Sequence, residues 1–292
     1  MTCPICKGSL SQRATVTLPA GAIHRCRSCG AGVLWPRPDQ AALSATHDDD
    51  SYFNHPYFEA RRDSDTENRT FDQRVDRLRL LMKNGRIQAR VLDLGCDTGA
   101  FMSYLAARTG AQAIGVDVSR AAIAEGRSKG RDVRLGTLEA QHFPAASFDA
   151  LTAFDVVEHV ADPRALAQEV GRILKPGAPF VVEVPHYDGL VYRLGRVLGS
   201  IGLLSGPLAA IRDRLWPTFH VQYPTERALR ILLGQAGFRD LSFAGRELTA
   251  DELALGGPIL RPLVLALFRL AQWTGLSTVL IVTGRAGDQP RG

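Results

Sequence analysis

Val91-Leu92-Asp93-Leu94-Gly95-Cys96-Asp97-Thr98-Gly99 is a short apolar run that enters a glycine-containing turn, and the residues after it, Ala100 to Arg108, are spaced as a helix. A buried strand that feeds a tight turn and then a helix is the opening unit of a βαβ fold. Gly95 and Gly99 carry no Cβ, so a ligand can approach the backbone closely there. The next apolar run, Ile114-Gly115-Val116-Asp117-Val118, reaches an acidic residue at its end. A carboxylate in that position can accept hydrogen bonds from two ribose hydroxyls.

Working outward, short β-rich runs alternate with helical patterns. Strands are predicted at Arg90–Leu94, Gln112–Val116, Val133–Leu135, Ala150–Phe154 and Pro179–Val184, with helices at Ala100–Arg108, Arg120–Lys129 and Pro163–Leu174. Such alternation implies a parallel sheet covered on both faces. A helix at Thr225–Ala236, a strand at Arg239–Ala244, an apolar helical segment and a last strand at Thr278–Thr283 complete the pattern, with a loose polar tail from Gly284. Upstream, Val75, Leu78, Leu81 and Met82 recur at helical steps from Phe71 to about Gly85.

A nicotinamide or flavin enzyme would carry Gly-x-Gly-x-x-Gly at the first turn, which this sequence lacks. A purely structural βαβ unit leaves the glycines and the acidic strand end unexplained. Asp-x-Gly-x-x-x-Gly followed by that strand end resembles the class I S-adenosylmethionine-dependent methyltransferases. The resemblance extends from about Val91 to Gly237 through Ser147-Phe148-Asp149, Asp155-Val156-Val157-Glu158-His159-Val160-Ala161-Asp162-Pro163 and Arg172-Ile173-Leu174-Lys175-Pro176-Gly177. Taken together, these segments are similar to the branch that contains the ubiquinone-type O-methyltransferases.

The resemblance implies an α/β fold with a doubly wound, Rossmann-like seven-strand sheet. It also implies an S-adenosylmethionine site made of Asp93, Gly95, Asp97, Gly99, Asp117, Val118, Thr137, Leu138, Glu139 and Asp155. Adenine falls to Thr137, Leu138 and Glu139, and Asp97 stands where the family usually has glycine. A sulfonium is already an activated electrophile, so the protein must align an acceptor and, for a hydroxyl, remove its proton. His159 and His220 are the candidate bases, and His186 and Tyr187 sit just past the strand at Pro179–Val184. Asp155, Glu158, His159 and His220 also resemble the divalent-metal cluster of small-RNA 2′-O-methyltransferases, which suits magnesium or manganese. The alternative for Glu158 and Asp162 is to cap the helix that starts at Pro163.

The N-terminus carries a second signal. Cys3, Cys6, Cys26 and Cys29 form Cys-x2-Cys-x19-Cys-x2-Cys, the spacing of a zinc ribbon. Four thiolates close a tetrahedral shell, so the zinc is structural. The module is short and has too few apolar residues for a core of its own. Cys96 is left over as a packing residue.

Composition sets the outer bounds. The 292 residues are 45% hydrophobic and 22% charged, as in a globular protein, and a net charge of +5 without long basic runs permits nucleic acid but does not favour it. Lys7, Arg13, Arg25, Arg27 and Arg37 keep an RNA methyltransferase as the alternative, and a noncatalytic S-adenosylmethionine sensor is the other. No secretory signal is visible, which points to the cytoplasm. Val197–Ile211 and Leu253–Leu270 are apolar but interrupted, too broken to span a bilayer. The first, with Leu190, Val191 and Leu194 before it, is expected to cover a small-molecule or lipid-like acceptor or to touch a membrane surface. The expected division is a ribbon at 1–36, a connector and helix at 37–86, the methyltransferase domain at 87–284 and a tail at 285–292; the oligomeric state is left open.

Overall fold

A computed structural model describes residues 1–47, 65–82, 89–204, 209–217, 219–248 and 260–288. The acidic run at 48–50, the aromatic residues at 52–58, the expected helix end near Gly85, residues 253–259 and the end of the tail lie outside the described residues.

A seven-stranded sheet forms the centre. Its strands are β4 (Arg90–Leu94), β5 (Gln112–Asp117), β6 (Val133–Leu135), β7 (Ala150–Phe154), β8 (Pro179–Pro185), β10 (Arg239–Arg246) and β11 (Val279–Arg285), in the order β10-β11-β8-β7-β4-β5-β6. The strands from β8 to β6 run parallel, whereas β11 is antiparallel to both β8 and β10. Strand order reverses between β4 and β7, so the carboxyl ends of these two strands form the crevice where open α/β sheets bind ligands. The strand interiors are continuous apolar runs because helices cover both faces.

The covering helices are α2 (Asp65–Leu81), α3 (Ala100–Thr109), α4 (Arg120–Ser128), α5 (Pro163–Ile173) and α8 (Glu226–Gln235). Helix α5 starts where Asp162 Oδ1 accepts from the N–H groups of Arg164 and Ala165, with Pro163 in the first turn. Asp162 is thus the cap, and Glu158 is not. Strand β11 continues past Gly284 to Arg285, Ala286 is buried, and Arg239 pairs with Asp288 at 3.0 Å. The chain is therefore held to Asp288, because antiparallel pairing on both sides of β11 orders its end.

The N-terminal ribbon consists of β1 (Leu10–Leu18), β2 (Gly21–Cys26) and β3 (Gly32–Trp35), followed by α1 (Gln40–His47). A fourth strand, β9 (Gln222–Tyr223), comes from the far half of the chain and pairs antiparallel with β3. Ribbon residues Val16, Leu18, Ile23 and Leu34 pack with Tyr187, Tyr192, Trp216, Val221 and Tyr223 in one buried cluster. The core that the ribbon lacks by itself is completed in this way.

After β8 the chain forms α6 (Leu190–Ser200) and α7 (Ala209–Leu215), and α9 (Leu260–Trp273) lies beside α6. No helix among the described residues is long and apolar enough to cross a membrane.

Candidate active site and metal centre

The turn after β4 adopts left-handed backbone at Gly95 (φ 70°), Asp97 (φ 50°) and Gly99 (φ 76°). Glycine takes that conformation readily, and aspartate is among the few side chains that tolerate it, which accounts for Asp97 in a glycine position. The Asp97 N–H donates to Asp117 Oδ2 at 2.9 Å, and the Ser119 N–H donates to Asp117 Oδ1 at 2.9 Å. One carboxylate at the end of β5 thereby ties the glycine turn to the start of α4. A Cβ on Gly95 would lie 2.4 Å from Val156 Cγ2, so glycine is also needed for close approach of the turn after β7.

Asp93 is turned the other way. It is buried, accepts from Thr152 Oγ1 at 2.6 Å, and burial pushes its carboxyl up to about 7. Cys96 packs in the core with its thiol raised by burial. Past β6, Thr137 is half-buried and Glu139 exposed, whereas the Leu138 side chain belongs to the core. Val118, between Asp117 and the capping Ser119, is half-buried.

At the end of β7, the exposed Asp155 has φ 56° and its N–H donates to the Glu183 carbonyl at 3.0 Å. The chain then makes a 3-10 turn, Val157–His159. Glu158 is completely buried, and neither carboxyl oxygen has a hydrogen-bond partner among the described residues. Burial first, and the charge of Asp155 second, push its pKa well above the ordinary carboxylate range.

His159 lies beside it with Nδ1 3.1 Å from the Phe219 carbonyl oxygen, and its ring meets the His220 ring edge-on at 4.6 Å. Ligand atoms of Glu158, His159 and His220 all lie within 4.8 Å of one another. Asp155, expected as a fourth member, stands outside that group because its side chain faces solvent. Three of the four residues are therefore gathered.

Residues sixty positions apart meet because β9 bridges them. The Val221 N–H donates to the Glu158 carbonyl at 2.9 Å, and Gln222 Nε2 donates to the carbonyls of Val157 and Val160. Tyr223 and Trp216 are fully buried close by, and Tyr223 Oη and Trp216 Nε1 have no hydrogen-bond partner among the described residues. These aromatic residues were not singled out from the sequence, since only the pairing of β9 with β3 gives them their place. His186 and Tyr187 serve the scaffold instead: His186 Nδ1 is 2.9 Å from the Ser277 carbonyl oxygen, and Tyr187 Oη hydrogen-bonds Thr15 Oγ1 at 2.8 Å.

The four ribbon cysteines converge from two turns. Cys3 Sγ lies 3.7 Å from Cys29 Sγ, and Cys6 Sγ lies 3.4 Å from Cys26 Sγ. Tetrahedral zinc with bonds of about 2.3 Å requires sulfur separations of roughly 3.8 Å, so the donor set and its spacing fit zinc. The N–H groups of Gly8 and Cys29 donate to Cys6 Sγ and Cys26 Sγ, which favours thiolate. The hydrogen bond with Cys29 pushes Cys3 down to about 5.

This centre is continuous with the larger unit. Thr225 Oγ1, at the start of α8, donates to the Cys29 carbonyl at 2.7 Å in a buried setting. Arg25 forms a two-pronged pair with Asp188 at 2.9 and 3.1 Å, and Arg37 Nη2 donates to the Ala161 carbonyl. Two of the five basic residues considered for RNA are thus engaged within the protein.

A further polar cluster lies under the sheet. Glu183 on β8 is buried with Arg74 of α2 at 2.8 Å and Arg246 of β10 at 3.4 Å, and Arg74 stacks 3.8 Å from the Phe154 ring centroid. The two guanidinium groups outweigh the effect of burial and hold Glu183 below the usual range. The cluster fixes the end of β8 next to Asp155.

Comparison with known proteins identifies the family. The family described as "Methyltransferase domain" matches residues 62–242. The chain belongs to that family, among the class I S-adenosylmethionine-dependent methyltransferases.

It is 38% identical over 96 residues to a ubiquinone biosynthesis O-methyltransferase of Hahella chejuensis, which covers 30% of this chain and 40% of that enzyme. It is 30% identical over 189 residues to a Mycolicibacterium smegmatis protein named "Probable S-adenosylmethionine-dependent methyltransferase", covering 63% of this chain and 66% of that one. The chain thus spans less than half the length of the Hahella enzyme it matches. Among solved structures, the [4+2]-cyclase SpnF superposes with a TM-score of 0.57 at 19% identity, covering 86% of this chain and 97% of that one, which shows the fold alone.

Proposed function

We propose that the protein transfers the methyl group of S-adenosylmethionine to a hydroxyl of a small-molecule acceptor that is lipid-like in part. The observation that carries this reading is the pair of groups at the two strand ends flanking the switch point. The Asp117 carboxylate and the glycine turn sit on the β4 and β5 side, and Glu158, His159 and His220 sit on the β7 side.

In this reading Asp117 accepts from the ribose hydroxyls. The methionine end lies beside Asp93, Gly95 and Gly99, where the glycines let it come close to the backbone, and Thr137 and Glu139 border adenine. The acceptor approaches from the side of His159, Phe219 and His220, where the histidine rings stand against aromatic surface. An imidazole nitrogen there takes the hydroxyl proton as the methyl–sulfur bond breaks and S-adenosylhomocysteine leaves, the general-base role that histidine commonly fills. The partial match to a ubiquinone O-methyltransferase supports oxygen as the acceptor atom.

A second reading adds a divalent cation. Glu158 has two buried oxygens without hydrogen-bond partners next to two imidazoles, a donor set that suits magnesium or manganese. A cation held by Glu158, His159 and His220 would supply Lewis-acid activation of the acceptor hydroxyl. The residues themselves would then orient the acceptor oxygen, with Glu158 giving up its proton on binding the cation.

Methyl-labelled S-adenosylmethionine supplied with extract of the source cell tests the reading, in the presence and absence of chelator. Label in a small-molecule or lipid fraction is expected. Label confined to RNA, or cofactor binding with no transfer to any fraction, would overturn it, and chelator-resistant transfer would remove the cation.

A further inference from the structure

Surface helices of a globular protein normally turn their apolar residues inward. Helices α6 and α9 do so with one stripe and carry a second apolar stripe outward. On α6 and the residue that caps its end, Leu194, Val197 and Ile201 are exposed at steps of three and four residues, Val197 at 59% and Ile201 at 64%. On α9, Leu263, Leu270 and Trp273 are exposed along one face together with Ala266, and Trp273 is 84% exposed.

The two helices touch, and the Leu190 N–H at the start of α6 donates to the Leu276 carbonyl just beyond α9. Of the eleven large apolar side chains exposed among the described residues, eight lie on α6, α7, α9 or the turn that follows α6. Single exposed apolar residues need no explanation, but this concentration does. The inward residues Tyr192, Leu198 and Leu204 already pack with the ribbon cluster, so the outward ones are not required for the core.

Charge on the same helices is mainly positive. α6, α7 and α9 together carry six arginines and a single acid, Asp213. Arg196 turns inward onto Tyr187 and Asp188 and Arg212 pairs with Asp213, whereas Arg193, Arg214, Arg261 and Arg269 are exposed. Apolar stripes bordered by arginine, with a tryptophan at one end, match the boundary between headgroups and acyl chains of an anionic bilayer.

We propose that the outward faces of α6 and α9 dock the protein on an anionic phospholipid surface, with the apolar stripes entering the headgroup boundary and the arginines meeting lipid phosphates. The attachment is peripheral, since the helices have 11 and 14 residues. It stands or falls independently of the chemistry at His159 and His220.

Co-sedimentation of the full chain with vesicles tests this directly. Vesicles of equal parts phosphatidylglycerol and phosphatidylcholine should retain the protein, and pure phosphatidylcholine should retain far less. Raising salt to about 0.5 M should weaken retention. The doubles Val197→Ser with Ile201→Ser, and Leu270→Ser with Trp273→Ser, should each lower partition by about tenfold or more. Arg269→Glu should reduce the preference for phosphatidylglycerol. Because all these side chains are exposed, S-adenosylmethionine affinity and the circular dichroism spectrum should stay unchanged and show that the variants are folded.

Failure of the wild type to sediment with anionic vesicles, or binding by both doubles as strong as that of the wild type, would overturn the proposal. So would a vesicle-independent dimer that the same doubles dissociate, because the face would then belong to a second copy of the chain.

Discussion

Thr225 Oγ1 donates to the Cys29 carbonyl oxygen at 2.7 Å and accepts from the Ala228 N–H at 3.1 Å, so one hydroxyl both anchors the thiolate centre and caps α8. The ribbon is thereby joined to the half of the chain that supplies His220 and Tyr223. Thr225→Val keeps the shape of the side chain and removes both bonds. It should lower stability by about 1–3 kcal/mol in denaturant unfolding, the scale for a lost cap and a buried acceptor left unpaired. Thr225→Ser should recover most of the loss, and wild-type stability in the valine variant would show that the tie carries no weight.

Metal content provides a second check. Elemental analysis should find one zinc per chain, and Cys26→Ser should lose it. Because the Leu34 N–H donates to the Val221 carbonyl and the Val221 N–H to the Glu158 carbonyl, the loss should spread. Amide exchange should accelerate at Val221–Tyr223 as well as within residues 1–35. Acceleration confined to the ribbon would mean that the thiolate centre leaves the acceptor side untouched.

Stability should depend on pH through Asp93. Its folded carboxyl binds a proton more tightly than the unfolded one, so its contribution is complete below the ordinary value of 3.8 and is lost as pH rises through about 7. Asp93→Asn should flatten that decline and gain on the order of 2 kcal/mol over wild type at about pH 8. Glu158→Gln should act in the same direction in chelator, since Glu158 is raised as well. Parallel melting-temperature curves for wild type and Asp93→Asn across this range would refute the assignment.

At the proposed acceptor side, the double variant His159→Ala with His220→Ala should lose about a hundredfold or more of its label transfer, the scale of general-base catalysis. S-adenosylmethionine affinity should persist, which calorimetry can establish on the same sample. Full turnover would remove both histidines from the chemistry.

How much of this was legible before folding follows from sequence distance. The strand at Arg90–Leu94, the turn from Gly95 to Gly99 and Asp117 form one local βαβ unit, so hydrophobic pattern and glycine placement were sufficient to read them. The cysteine spacing declared the ribbon for the same reason. The two-residue strand Gln222–Tyr223 was not legible, because its partner lies almost two hundred residues earlier and so short a run has no periodicity. With β9 unplaced, the approach of His220 to Glu158 rested on resemblance alone. The buried trio of Arg74, Glu183 and Arg246 was hidden likewise, as three distant elements each contribute one charge. The outward stripes of α6 and α9 read as interrupted apolar runs until burial separated their inner and outer faces.

The central claim is that a cofactor binds at the carboxyl ends of β4 and β5 with its ribose on Asp117. Titration calorimetry of S-adenosylmethionine into wild type and Asp117→Ala tests it most directly. One site per chain is expected in the wild type, with binding weaker by about 1.5–3 kcal/mol in the variant, the scale for hydrogen bonds to a charged group. Equal affinity in the two proteins would contradict the placement of the site.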